Sequence, residues 1–169
     1  MTLYYAQPYN MAVEGFYFQC AEEFHKLVAK VTDSFGQPVE EFEIQFIDGG
    51  QLPCELFEAW KPGQSEVARF IDACEDWWED SFLMAIIAMR DLGYRPTDVV
   101  DDPDALDITL YRTDSLKDLA HDFVEEGLFG EIADNVQCYL DHEAIARDLA
   151  IDGYTETIVA GERLIYRAG

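Results

Sequence analysis

Residues able to do chemistry are plentiful in this chain, but few are spaced to do it. His142 stands between Asp141 and Glu143, a setting that suggests a general base or a metal ligand, although a lone histidine among acids is more often simply ion-paired. Glu22-Glu23 and Glu40-Glu41 supply paired carboxylates, yet in a chain with 35 acidic residues such pairs carry almost no specificity for acid-base catalysis. The stretch DVVDDPDALD invites a calcium reading, but Leu106 and the missing central glycine break the loop pattern. Cys20, Cys54, Cys74 and Cys138 are widely scattered, with no C-x-x-C pair and no zinc spacing to His25, His121 or His142. They read as reduced core residues. There is no Walker loop, G-x-G-x-x-G, H-E-x-x-H or G-x-S-x-G. No catalytic residue, cofactor or metal site is assigned, and the chain reads as a protein that is not an enzyme.

What the spacing does organise is charge. Asp72, Glu75, Asp76, Glu79 and Asp80 fall at i, i+3, i+4, i+7 and i+8, one acidic stripe for as long as the segment stays helical. Asp114, Asp118, Asp122 and Glu125, with Glu126 beside them, repeat the pattern, while Leu116, Leu119, Phe123 and Val124 take the opposite face. Asp101 and Asp102 add a pair between the two rows. Like charges at i,i+4 cost a helix a few tenths of a kcal/mol per pair, and Glu-to-Lys pairing at the same spacing would have been slightly favourable. That option is largely unused.

The elements that must hold these rows can be read in turn. LYYAQP and GFYFQC alternate as two strands joined by a turn over 10–15, and Phe24, Leu27, Val28 and Val31 give a helix from Ala21 to Val31, stopped by Ser34-Phe35-Gly36. EFEIQFI is a third strand, closed by Asp48-Gly49-Gly50. Lys61-Pro62-Gly63 marks a boundary, with Ser65 as the N-cap of the next helix. Val67, Phe70, Ile71, Cys74, Trp77 and Trp78 form one apolar stripe, in which one tryptophan of the pair is expected to be buried. A second helix runs from Phe82 to Leu92, and Pro96-Thr97-Asp98 starts a short one that Pro103 ends. DITLYR is a strand, 113–115 cap a helix from Leu116 to Glu126, short helices span Asp134–Leu140 and Glu143–Leu149, and YTETIV and RLIYR close as a hairpin about Ala160-Gly161-Glu162. The expected fold class is α+β in three small modules: a ββαβ sheet module over 1–61, a helical module over 62–106 and a mixed module over 107–169.

Composition sets the kind of partner. Apolar residues make up 49% of the 169 and aromatics 14%, so a packed core is available and the acidity is not that of a disordered tail. With 35 acidic against 11 basic residues the formal net charge is −24, well beyond the magnitude of about 2–8 usual for a small domain. A surface so negative repels nucleic acid and anionic membranes and attracts basic grooves. Duplex DNA carries one charge per ~1.7 Å, so this net charge matches roughly 40 Å of duplex. The N-terminal stretch lacks a secretory pattern and no run is long enough to span a membrane, which leads to the expectation of a cytoplasmic protein. Two rival readings remain open on these grounds: an acidic domain adapted to high salt, and a small enzyme of unknown class.

One stretch is more specific. LFGEIADNVQCYLDHEAIARDLAIDG resembles the ArdA antirestriction pattern L-x-G-E-I-P-x-x-L-x-x-Y-x-D-Y-E-x-x-x-R-D-L, with Gly130, Glu131, Ile132, Tyr139, Asp141, Glu143, Arg147, Asp148 and Leu149 in place, and Ala133, Val136 and His142 where the pattern has proline, leucine and tyrosine. GFYFQCAEEFHKLVAKV and DFVEEGLFGE are similar to further stretches of that family, and the likeness is weakest from Asp80 to Asp107. The resemblance implies an elongated, curved homodimer, paired through the last module, whose carboxylates imitate bent DNA and so block Type I restriction-modification enzymes, usually on behalf of a mobile element. On that reading the acids of the two rows, with Asp101 and Asp102, stand in for phosphates.

Overall fold

The computed structural model describes residues 2–169. Eight α-helices and two three-stranded antiparallel sheets are present among them, which makes the fold α+β. The chain divides into two compact units, 1–104 and 105–169.

In the first unit β1 (Leu3–Pro8) lies between β2 (Phe16–Phe18) and β3 (Phe42–Asp48). Tyr4 faces Phe18 on one side and Phe46 on the other. The period of two turns Tyr4, Ala6 and Pro8 inward, where Tyr4 stacks on Phe18 at 5.3 Å and meets Phe46 edge-on at 5.7 Å. The turn returns the chain so closely that a side chain at Gly15 would strike the Ala6 carbonyl, so glycine is required there. Helix α1 (Ala21–Val28) buries Phe24 and ends three residues earlier than its apolar spacing predicts. Ser34-Phe35-Gly36 is not its stop. Those residues form the tip of a separate loop, in which the Asp33 carboxylate accepts from the Phe35 and Gln37 N–H groups at 2.8 Å each and Gly36 takes a positive φ of 78°. A short polar side chain that captures local backbone donors competes with helix continuation.

Helix α2 (Gln51–Trp60) has no counterpart among the elements expected from the sequence. Pro53 discourages a helix there, but it falls in the first turn, where its missing N–H has no intrahelical partner to lose. Leu52, Leu56 and Trp60 supply an i, i+4, i+8 stripe, and Leu56 and Trp60 are buried. The Lys61-Pro62-Gly63 stretch is fastened from below: the Phe42 N–H donates to the Gln64 side chain at 2.7 Å and that side chain donates to the Glu40 carbonyl at 2.8 Å. Helix α3 (Val67–Asp76) is entered through Glu66 and not through a Ser65 cap. Its Phe70 meets Tyr4, Phe57 and Trp60 edge-on, joining sheet, α2 and α3 in one aromatic core. Helix α4 (Glu79–Arg90) buries residues on every side, from Phe82 and Leu83 to Ile86, Ile87 and Met89, as expected of a central helix. Pro96 opens α5 (Pro96–Val99) at its first position, and Pro103 begins a 3-10 turn through Ala105.

The second unit has a sheet in the order β4 (Ile108–Tyr111), β6 (Glu162–Ala168), β5 (Tyr154–Val159). Helix α6 (Leu116–Glu125) is capped by Ser115, whose hydroxyl accepts from the Asp118 N–H at 3.2 Å. It packs with α8 (His142–Ile151) over Ile165, with Leu119, Ala120, Phe123 and Leu149 between them. The Asp134–Leu140 stretch yields only one turn of helix, α7 (Asp134–Gln137). Val159 and Glu162 pair across Ala160 and Gly161, both with positive φ (52° and 79°), the signature of a type I′ hairpin. No helix among the described residues is long and apolar enough to cross a membrane.

Candidate partner-binding surface

The first acidic row is built on α3. Val67, Phe70 and Ile71 turn into the core, and at 100° per residue this leaves Asp72, Glu75 and Asp76 outward, all exposed. The helix stops at Asp76. Trp77 and Trp78 are extended (ψ 143° and 164°), and Glu79 and Asp80 open the first turn of α4. The five acids are thus three on one helix and two on the next, because α3 ends four residues short of the Asp80 that a continuous stripe would reach. Trp77 is half-buried and packs edge-on against Phe82 at 5.7 Å, which fixes the corner. Trp78 is 82% exposed, so neither tryptophan is fully buried.

The remaining acids differ in what they touch. Arg69 holds the Asp101 carboxylate, which compensates its charge, while Asp102 lies exposed beside it. Asp104 accepts from the hydroxyl of buried Ser81 at 2.7 Å. In the second unit Asp114, Asp118, Asp122, Glu125 and Glu126 are all exposed. Asp118 accepts from the Ser115 hydroxyl while its N–H donates back, and Glu125 lies 3.7 Å from Nδ1 of His121. Among the described residues no Lys or Arg pairs with Asp72, Glu75, Asp76, Asp114, Asp122 or Glu126. The two rows belong to separate units.

The motif residues around α8 serve different ends. Gly130 has φ 91°, which excludes other residues without strain. Asp141 caps α8 by accepting from the Ala144 N–H at 3.0 Å. Glu143 pairs with Lys117 of α6 at 3.0 Å. Glu131, Arg147 and Asp148 are exposed, and Tyr139 is 84% exposed. The His142 ring stacks on His121 at 4.1 Å with 4° between planes, a packing role between α6 and α8. No group of three or more His, Cys, Asp or Glu among the described residues could hold a metal ion. Cys20 and Cys138 are exposed, contrary to the expectation that all four cysteines lie in the core, and Cys54 and Cys74 are half-buried. Burial, then Glu75, pushes the Cys74 thiol up to about 12.

The family model for the ArdA antirestriction protein matches residues 13–162. The chain belongs to the ArdA antirestriction family. No curated protein matches it. Antirestriction implies interaction with restriction-modification enzymes. The departure of this ArdA chain at Ala133 is conformationally silent: Ala133 sits at φ −62°, ψ 137°, the region proline itself adopts. The exposed apolar residues Leu128 and Phe129 are not among the residues singled out from the sequence. Leu128 and Phe129 lie just past the end of α6 and before Gly130, a position where polar loop residues are the norm, and that was the available signal.

Proposed function

We propose that this ArdA protein is a DNA mimic that occupies the DNA-binding cleft of Type I restriction-modification enzymes and blocks them. The observation that carries the reading is a net charge of −24 with rows of exposed carboxylates, of which Asp72, Glu75, Asp76, Asp114, Asp122 and Glu126 pair with no Lys or Arg among the described residues. Each would take the place of a phosphate, and the basic cleft would recover the attraction it normally gains from DNA. Exposed charge pairs contribute only about 0–1 kcal/mol each, so inhibition rests on many acids together. Asp72, Glu75 and Asp76, then Glu79 and Asp80, form one set, and Asp114, Asp118, Asp122, Glu125 and Glu126 the other. Asp102 is a contributor and Asp101 a weaker one, because Arg69 already holds it.

The proposal includes the elongated three-module organisation, a cytoplasmic setting and a homodimer. One protomer supplies charge for only roughly 40 Å of duplex, and a two-fold partner would double the track. The decisive experiment is competition by gel electrophoresis: at low salt the protein displaces DNA from a Type I methyltransferase core. Failure to displace DNA would overturn the reading and leave an acidic domain of another kind. Sedimentation at micromolar concentration should show a dimer, and a monomer alone would remove that part.

A further inference from the structure

The second unit contains a cavity of about 390 Å3, within the range of ligand pockets. Its wall is an aromatic triangle: Tyr111 to Phe123 at 5.5 Å, Tyr111 to Tyr154 at 5.7 Å and Phe123 to Tyr154 at 5.8 Å between ring centroids. Buried Leu149 also lines it, as do Leu128 and Phe129, which are 61% and 53% exposed. They are presented by a turn bracketed by Gly127 and Gly130, both with positive φ, and fixed by the Leu128 N–H donating to the Phe123 carbonyl at 3.0 Å. Apolar side chains held out in water beside an aromatic hollow mark a place for another group.

The charges at the rim say which group. Glu126 and Asp152 line the opening, and among the described residues neither is engaged in an ion pair. The one cation present, Arg167, places its guanidinium 5.2 Å from the centre of the Tyr154 ring, so this wall already accepts a planar cation. Ring faces attract cations, most strongly where water is excluded, and a guanidinium can meet a carboxylate through two parallel hydrogen bonds. An anion would meet two carboxylates and the field of the whole chain.

We infer that this cavity is a socket for an arginine side chain projecting from the protein partner, its stem against Leu128, Phe129 and Leu149 and its guanidinium between the aromatic wall and Glu126 and Asp152. The inference rests on the proposed function, since a DNA-binding cleft supplies such side chains, and adds to it a discrete anchor besides the summed charge. Two arms test it. Ethylguanidinium is titrated into the wild-type protein at about 0.15 M salt, where diffuse attraction is screened, with the ring signals of Tyr111, Phe123 and Tyr154 followed by NMR. Saturable shifts centred on those rings, reduced in Glu126→Gln/Asp152→Asn and absent with propanol, are expected. Shifts spread over the surface, or unchanged in the variant, would overturn the socket.

In the competition assay the same double variant should lose about tenfold in affinity, while Asp114→Asn/Asp122→Asn, which removes equal charge from the row that also contains Glu126, should lose much less. Equal losses from the two variants would refute the anchor and leave the DNA-mimic reading standing. If the wild type itself displaced no DNA, that reading would fall, and the ethylguanidinium arm would still decide whether the socket exists.

Discussion

The break at Trp77-Trp78 turns one acidic row into two with opposite effects on stability. On α3, Asp72 lies i,i+3 from Glu75 and i,i+4 from Asp76, and the latter two close the helix. Each like-charge pair costs about 0.2–0.5 kcal/mol, and each acid at the negative end of a helix adds about 0.3 kcal/mol or more at an exposed site. Changing Asp72→Asn, Glu75→Gln and Asp76→Asn together should therefore stabilise the first unit by about 1 kcal/mol, a rise of roughly 4–5 °C in its melting temperature. Glu79 and Asp80 lie in the first turn of α4, where negative charge favours the helix. Glu79→Gln with Asp80→Asn should lower the melting temperature by a similar amount. Thermal unfolding followed by calorimetry at about 20 mM salt measures both, and both shifts should shrink at about 0.5 M. Shifts of the same sign in the two variants would refute the reasoning, because a single continuous helix through 72–80 would make all five acids equivalent.

Further changes probe other parts of the chain. Ser115→Ala removes the cap of α6 and should cost about 1 kcal/mol by denaturant unfolding. Ala160→Asn relieves a left-handed alanine (φ 52°) at the first position of a type I′ turn and should stabilise the second unit by about 1 kcal/mol in the same measurement. Cys74, pushed up to about 12, holds its proton more tightly folded than unfolded. The stability linked to it is present below the ordinary thiol range near pH 9 and is lost as pH rises through about 12. Cys74→Ala should flatten the alkaline side of a stability-versus-pH curve, and in the folded protein Cys20 and Cys138 should be alkylated well before Cys74. Asp118→Asn alone should weaken DNA competition only slightly, whereas the α3 triple variant should weaken it severalfold.

Much of the fold is legible in the residues because local signals agree with the tertiary outcome. Aromatic alternation in LYYAQP and FYF, the Ser115 cap, Gly93 after α4 and the closing hairpin all belong to that class, and α3 and α6 show their buried faces by spacing alone. The failures have specific causes. Pro53 hides α2 because its harmlessness depends on which turn it occupies. Val31 prolongs the apolar period of α1 although Asp33 diverts the backbone into a loop. Trp77 and Trp78 fit the α3 stripe in type, but one packs on Phe82 from a corner and the other faces water. The acids could be placed on outward faces, whereas which of them are compensated depends on partners distant in sequence, such as Arg69 for Asp101. The aromatic cavity was beyond reach because Tyr111, Phe123 and Tyr154 come from three elements that only the assembled sheet and helices bring together.

Those partners also sort the acids by what they do. Asp33 closes a loop, Glu23 accepts from the Gln19 N–H ahead of α1, Asp141 caps α8, Asp104 satisfies buried Ser81, and Glu156 accepts from the Leu116 N–H at the start of α6 at 2.7 Å. Each accepts a hydrogen bond from a backbone N–H or from the buried Ser81 hydroxyl, so these acids are bound into the fold. Among the described residues Asp72, Glu75, Asp76, Asp114 and Asp122 make no such contribution, and the first three oppose the helix that carries them. Under the proposed function, a side chain that works against its own helix and pairs with no cation among the described residues is one set aside for an external basic partner. Grouped neutralisation of those residues should therefore separate binding from folding, lowering the first while raising or sparing the second, whereas neutralising the capping acids should damage the fold before it touches the partner.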